Sequence, residues 1–412
     1  MGCVNQNENP LPTGGSNGYS SNSLLPKYFR SSKNKKFLDA TLDQILQPGT
    51  AQKLNGFYGR RTAKSYRGSD NYIGDVSVNR EAYQLEPVVL AKDTYDNVTF
   101  YKDYNDYVNQ IKAFGLSFPN QIGLAAGMDK NGAYPKTFAS LGFGHIEIGT
   151  ITPQPQTGNA KPRLFRYPKY GALVNRMGFN NDGVEEVVKR IEKIYPKEKR
   201  VVPLGINIGK GKKTPIDIAH DDYISCLRKC YKQADYITIN ISSPNTPNLR
   251  ELHQGDLIAP FLQILMETGR DCAKIFNQNI VPLLLKISPD ESYKSLENIV
   301  GKAMDIGFSG VIAANTSVNR FNRKEFENFE LGGLSGKPIE TKSVQIIKFL
   351  AKLTDYKFPI IGVGGISNTD SAIRKLDAGA CLLQIYSSLV YQGPSLPSQL
   401  TNSLNHRARK WN

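Results

Sequence analysis

YITINIS, residues 236–242, is an uncharged run rich in β-branched side chains, too short for a typical helix and apolar enough to be buried on both faces. Similar runs lie on either side of it. Upstream are IGLAAG (122–127), HIEIGT (145–150) and VPLGINIG (202–209). Downstream are PLLLKIS (282–288), GVIAANT (310–316), PIIGVGG (359–365) and CLLQIYS (381–387). Amphipathic stretches separate them, among them GVEEVVKRIEKI (183–194), LIAPFLQILMETG (257–269), LENIVGKAMDIG (296–307) and SVQIIKFLAKL (343–353). Eight strand signals in one βα series predict an α/β fold, a closed (β/α)8 TIM barrel with a short N-terminal helical extension. A doubly wound sheet is the alternative, but its GxGxxG is missing from the first βα turn.

The 412-residue chain divides into four stretches. Residues 1–36, rich in Gly, Ser, Asn and Pro, read as a disordered leader. From Leu11 to Lys36 there is no acidic residue, while Lys27, Arg30, Lys33, Lys35 and Lys36 are basic, which suits a transit peptide. Met1-Gly2-Cys3 raises acylation as a rival, weakened by Gln6 where Ser or Thr is usual. Residues 37–58 form an amphipathic helical hairpin broken at Pro48-Gly49, suited to packing or to a membrane surface. Residues 59–110 are an irregular, tyrosine-rich connection, and 111–405 form the barrel.

Composition excludes several functions. No run approaches the roughly 20 apolar residues of a spanning helix. The net charge of +15 is spread over helix faces and loops without interleaved aromatics, so no nucleic-acid partner is expected. Five cysteines (Cys3, Cys226, Cys230, Cys272 and Cys381) and four scattered histidines complete no ligand set, and no metal is expected.

Barrel chemistry sits at the carboxyl ends of the strands. There the sequence places Asp129-Lys130, Thr150, Asn207, Asn240 with Ser242-Ser243, Lys286, Asn315-Thr316, Gly364-Gly365 and Tyr386-Ser387. Amides, hydroxyls and lysines suit a planar polar ring and an anion. The glycines after the seventh strand and the hydroxyls after the eighth suit a phosphate, and GGLSG (332–336) adds a further Gly-rich turn. Lys286 would stabilise negative charge on a reduced flavin, or simply end a strand in water.

Several long motifs then agree at once. IGLAAGMDKNG (122–132), GFGHIEIGTITPQPQTGNAKPRLFR (142–166), NRMGFNN (175–181), INIGKGKKTP (206–215), NISSPNTPNLR (240–250), GGLSGKP (332–338) and QIYSSLVYQGP (384–394) resemble the dihydroorotate dehydrogenases. Ser243, where soluble class 1 members carry cysteine, resembles the quinone-reducing, membrane-associated class 2, as does LQPGTAQKL in the hairpin. The resemblance implies oxidation of dihydroorotate to orotate in pyrimidine biosynthesis, with FMN as hydride acceptor and ubiquinone as final acceptor. Fumarate or NAD as a soluble acceptor is the nearest rival reading, and a catalytically silent flavin- or phosphate-binding barrel is another.

By the same resemblance Ser243 is the catalytic base. Lys130, Asn175, Met177, Gly178, Phe179, Asn240, Asn245, Asn315 and Thr316 hold substrate. FMN is held by Ala126, Gly127, Lys130, Thr150, Asn175, Asn207, Asn240, Lys286, Ser335, Gly336, Gly364, Gly365, Tyr386 and Ser387. Arg166 and Tyr386 line the quinone's approach. The class and the leader together imply a peripheral place on the mitochondrial inner membrane, attached through the hairpin. Gly211 and Asn248 depart from the usual residues at two loop positions.

Overall fold

The computed structural model describes residues 111–245, 257–321 and 323–411. The leader, the 37–58 hairpin, the 59–110 connection and Asn248 lie outside the described residues.

Strands β1 (Ile111–Ala113) and β2 (Leu116–Phe118) form an antiparallel hairpin. The chain continues through β3 (Ile122–Leu124), β4 (His145–Ile151), β5 (Leu164–Tyr167), β6 (Ala172–Asn175), β7 (Leu204–Ile208) and β8 (Tyr236–Asn240). Then follow β9 (Leu283–Lys286), β10 (Gly310–Ala313), β11 (Gly333–Gly336), β12 (Ile360–Val363) and β13 (Leu382–Ile385). β3, β4, β7, β8, β9, β10, β12 and β13 close a parallel barrel, one strand from each of the eight expected runs. The expected helices are present as Val184–Ile194, Ile258–Ile275, Tyr293–Ile306 and Glu340–Leu353.

One local expectation is corrected. GGLSG is not a turn: its Gly333–Gly336 is β11, which pairs antiparallel with β6, and β6 pairs with β5. Glycine-rich composition suggested a turn. The long-range partner strand overrides that local preference.

Period two divides each barrel strand between the interior and the surrounding helices. On β8, Tyr236, Thr238 and Asn240 face inward, and Ile237 and Ile239 face the helices. The amino-terminal end of the interior is apolar, with Tyr236, Leu284, Ile312, Ile361 and Leu382 in one buried cluster. The β1–β2 hairpin closes that end with Phe118, which meets the His145 ring edge-on at 5.5 Å. Glycines make room for the large rings. A Cβ on Gly123 would lie 2.0 Å from His145, and one on Gly205 would lie 2.1 Å from the Tyr236 ring. The next layer is polar: Glu147, Asn207, Thr238 and Gln384 are all fully buried. Such burial is costly unless the groups bond one another.

A buried lysine makes stability depend on pH. Lys375, on the helix Thr369–Asp377, donates to Ser343 Oγ at 2.9 Å, and Ser343 Oγ donates to the Val363 carbonyl. Burial lowers its pKa to about 7; Glu340 opposes the shift and Arg374 adds to it. Between that value and the ordinary 10.5 the unfolded chain holds more protons than the folded one, so stability rises with pH through this window. Thermal unfolding should show Tm increasing from neutral to alkaline pH more steeply in the wild type than in Lys375→Met. Equal slopes would contradict this.

Candidate active site

Three features meet at the carboxyl end of the barrel. The loops after the strands form the floor and one wall of a cavity of about 300 Å³. The β5–β6–β11 sheet forms the other wall, contributing Leu164, Leu173, Asn175, Ser335 and Gly336. A lysine side chain reaches the cavity from each of β9 and the loop after β3.

A continuous network positions the floor. Asn207 Nδ2 donates to Glu147 Oε1 at 2.8 Å, and Asn207 Oδ1 accepts from Thr150 Oγ1 and from Asn240 Nδ2. Asn240 Nδ2 also donates to Thr150 Oγ1 at 2.9 Å. The two serines after β8 behave differently. Ser242 Oγ is committed: it donates to Asn240 Oδ1 at 3.0 Å and accepts from Asn315 Nδ2 at 3.0 Å. Ser243 lines the cavity, and its Oγ accepts the backbone N–H of Asn245 at 3.2 Å. Asn245 in turn donates to the Asn175 carbonyl at 3.3 Å, tying the serine turn to the sheet across the cavity.

The charges are unusual for groups so enclosed. Lys130 has its pKa lowered to about 8, by burial first and then by the nearby cations Arg163 and Lys286. Burial also lowers that of Lys286, against the pull of Glu147. Asp129 braces the Lys130 loop by accepting from the N–H groups of Ala133 and Tyr134 at 2.8 and 2.9 Å. Burial raises its pKa to about 6, although those bonds and Arg190 oppose the shift.

At the far end, Gly364, Gly365, Ser335 and Ser387 border the cavity, with the two serine hydroxyls 2.9 Å apart. Among the described residues, two buried atoms of cavity-lining side chains have no hydrogen-bond partner, Ser388 Oγ and Gln384 Oε1. Backbone amides at a glycine turn with hydroxyls suit a phosphate, and an orphaned carbonyl suits a ring N–H. Among the described residues no group of three or more His, Cys, Asp or Glu could hold a metal ion. Nor is any described helix long and apolar enough to cross a membrane.

Residues 108–408 match the family model for dihydroorotate dehydrogenase. The chain belongs to the dihydroorotate dehydrogenase family. The dihydroorotate dehydrogenase (quinone) of Acinetobacter baylyi is 46% identical over 296 residues, covering 71% of this chain and 87% of that one. The enzyme of the same name from Idiomarina loihiensis is 44% identical over 324 residues, 79% of this chain and 96% of its own. Among solved structures, dihydroorotate dehydrogenase from Eimeria tenella in complex with ferulenol is 31% identical with a TM-score of 0.66. That match covers 82% of this chain and 93% of the other.

In this dihydroorotate dehydrogenase family member most of the expected site residues border one cavity, and two do not. Asn207 is fully buried one layer below, where it orients Asn240 and Thr150. Arg166 lies on β5 outside the cavity, within electrostatic reach of Tyr391, which does line it. Sequence reasoning missed Glu147, Gln384, Ser388 and Tyr391. The signal for Glu147 was present: a lone acid between isoleucines in HIEIGT is either misplaced or needed.

One expectation is overturned. The relatives at 44% to 48% identity are bacterial enzymes, from Acinetobacter, Idiomarina and others, and bacteria have no mitochondria. The matches therefore contradict a mitochondrial inner-membrane location.

Proposed function

We propose that this chain oxidises (S)-dihydroorotate to orotate, with FMN bound in the cavity and a quinone as final electron acceptor. The observation that carries the reading is the placement of Ser243. This residue, 4% exposed, lines a cavity bordered by Asn175, Asn240, Asn245 and Asn315, with Lys130 and Lys286 beside them. Four amides match the alternating N–H and C=O edges of a dihydropyrimidine ring, and an ammonium matches its carboxylate. The quinone is favoured over a soluble acceptor because Ser243 stands where class 1 members have cysteine, and because the relatives at 44% to 48% identity are named quinone enzymes.

The residues fit FMN on their own chemistry. Gly364-Gly365, Ser387 and Ser388 suit a phosphate, Gln384 Oε1 suits a ring N–H, and Lys286 suits negative charge on a reduced ring. When bound, FMN supplies the two-electron acceptor that connects dihydroorotate to the quinone.

Forming the C5–C6 double bond of orotate removes a proton from C5 and two electrons with a hydrogen from C6. Ser243 Oγ takes the C5 proton while its own hydroxyl proton passes outward. The Asn245 N–H holds the oxygen in place. The asparagines fix the ring so that C5 faces Ser243, and burial excludes competing water. We assign the quinone's approach to Arg166 and Tyr386, and the membrane contact to the amphipathic 37–58 segment.

Turnover of dihydroorotate with a ubiquinone analogue, compared with fumarate and NAD, tests the reading, together with identification of any flavin released on denaturation. FMN and preference for the quinone are expected. Absence of flavin, or equal use of fumarate or NAD, would overturn it.

A pH dependence follows from Lys130. Its charge is lost as pH rises through about 8, and an anionic substrate favours the charged form. KM for dihydroorotate should therefore climb above about that pH while staying flat below it. A KM that is level into the alkaline range would remove Lys130 from substrate binding.

A further inference from the structure

One charged group at the barrel centre has no part in the chemistry above. Glu147 is fully buried, and five groups converge on it. Asn207 Nδ2 and Gln384 Nε2 donate to it at 2.8 and 2.9 Å, and the hydroxyls of Thr238 and Tyr236 at 3.2 and 3.3 Å. Lys286 Nζ stands 4.0 Å from its Oε1. All five are donors or a cation, which suits the carboxylate form rather than the acid. Tyr236 is kept protonated, because burial and then Glu147 raise its pKa well above the usual value.

Two consequences reach the cavity floor. Lys286 is 5% exposed, and a buried ammonium without a counter-charge readily sheds its proton. Lys286 in turn helps to lower the pKa of Lys130, another lysine that lines the cavity. Glu147 supplies the counter-charge and works against the loss. It also orients Gln384. With Nε2 committed to the carboxylate, Oε1 of this cavity-lining side chain is left without a partner among the described residues.

We infer that Glu147 is a positioning residue that keeps Lys286 charged and Gln384 oriented, and so sets how strongly the site favours the reduced cofactor. The inference rests on the FMN reading. Glu147 acts through other side chains, so its role is expressed in the reduction potential and not only in the rate.

The test is the midpoint potential of bound flavin in Glu147→Gln holoenzyme, measured from mildly acidic to alkaline pH. At the acidic end Lys286 is charged without its counter-ion, and the potential should lie above that of the wild type. As pH rises, Lys286 loses its proton earlier than in the wild type. The potential should then fall with a break that the wild type lacks, and the break should vanish in the Glu147→Gln, Lys286→Met double variant. A potential that tracks the wild type at every pH, with flavin bound, overturns the inference. Wild-type protein without flavin would instead overturn the FMN reading. Should Glu147→Gln not fold, infrared spectra of wild-type holoenzyme decide. No protonated-carboxyl band that persists in Asp129→Asn is expected at neutral pH, and such a band overturns the inference.

Discussion

Ser243→Ala should retain its flavin and reduce it with dihydroorotate about 10²–10⁴-fold more slowly, the usual size of a general-base contribution. Among the described residues Ser243 Oγ has one bond, from the Asn245 N–H, and Ser243 lines the cavity. Removing the hydroxyl costs little packing and takes away the group proposed to receive the C5 proton. Ser242→Ala is the informative control, because the two hydroxyls are adjacent in sequence and opposite in use. Ser242 Oγ bridges Asn240 and Asn315, so its loss should loosen two amides proposed to bind the ring and raise KM more than it lowers the reduction rate. Stopped-flow reduction without quinone isolates the step. Equal rate losses at both serines would place the base elsewhere.

Gly365→Ala should bind FMN about 10²-fold more weakly. Gly365 has φ +80°, a left-handed conformation that costs a non-glycine residue roughly 1–2 kcal/mol. A Cβ there would also lie 2.4 Å from Glu340 Cβ and 2.6 Å from its Cα. Glu340 is the first residue of a helix, so its backbone cannot yield cheaply. Overpacking of this kind costs about 1–3 kcal/mol. The turn relieves both by moving, and binding must then restore it; about 3 kcal/mol of that work corresponds to the stated loss of affinity. Fluorescence titration of the apoprotein measures it, with the FMN-induced rise in Tm as a second readout. Gly301→Ala, in the helix Tyr293–Ile306 and with none of the described residues crowding its added Cβ within 4 Å, should bind FMN normally. Normal affinity in Gly365→Ala would remove this turn from the cofactor site.

Much of this protein could be read locally. A strand buried on both faces must be apolar for several residues running, and an amphipathic helix must repeat near 3.6. Both constraints act within a dozen residues, so the eight barrel strands were legible from YITINIS outward. The site was legible for a related reason. Barrel strands end at one mouth, so Lys130, Asn240, Ser243, Lys286 and Asn315 could be gathered there without knowing any distance.

Partnerships between distant strands were not legible. β11 pairs with β6 across 158 residues, from Gly333 to Asn175, and nothing local marks GGLSG as a strand. Gln384 and Asn207 lie 237 and 60 residues from Glu147, and only closure of the barrel brings them onto one carboxylate. The same closure decided that Ser242 braces the floor while Ser243 faces the cavity, and that Asn207 lies beneath it rather than on its wall. The sequence by itself determined the elements, their order and the residues at the mouth, because periodicity and strand polarity are local. Only the tertiary structure decided which of those residues face the cavity and which support them from behind, because that depends on partners the chain meets after it folds.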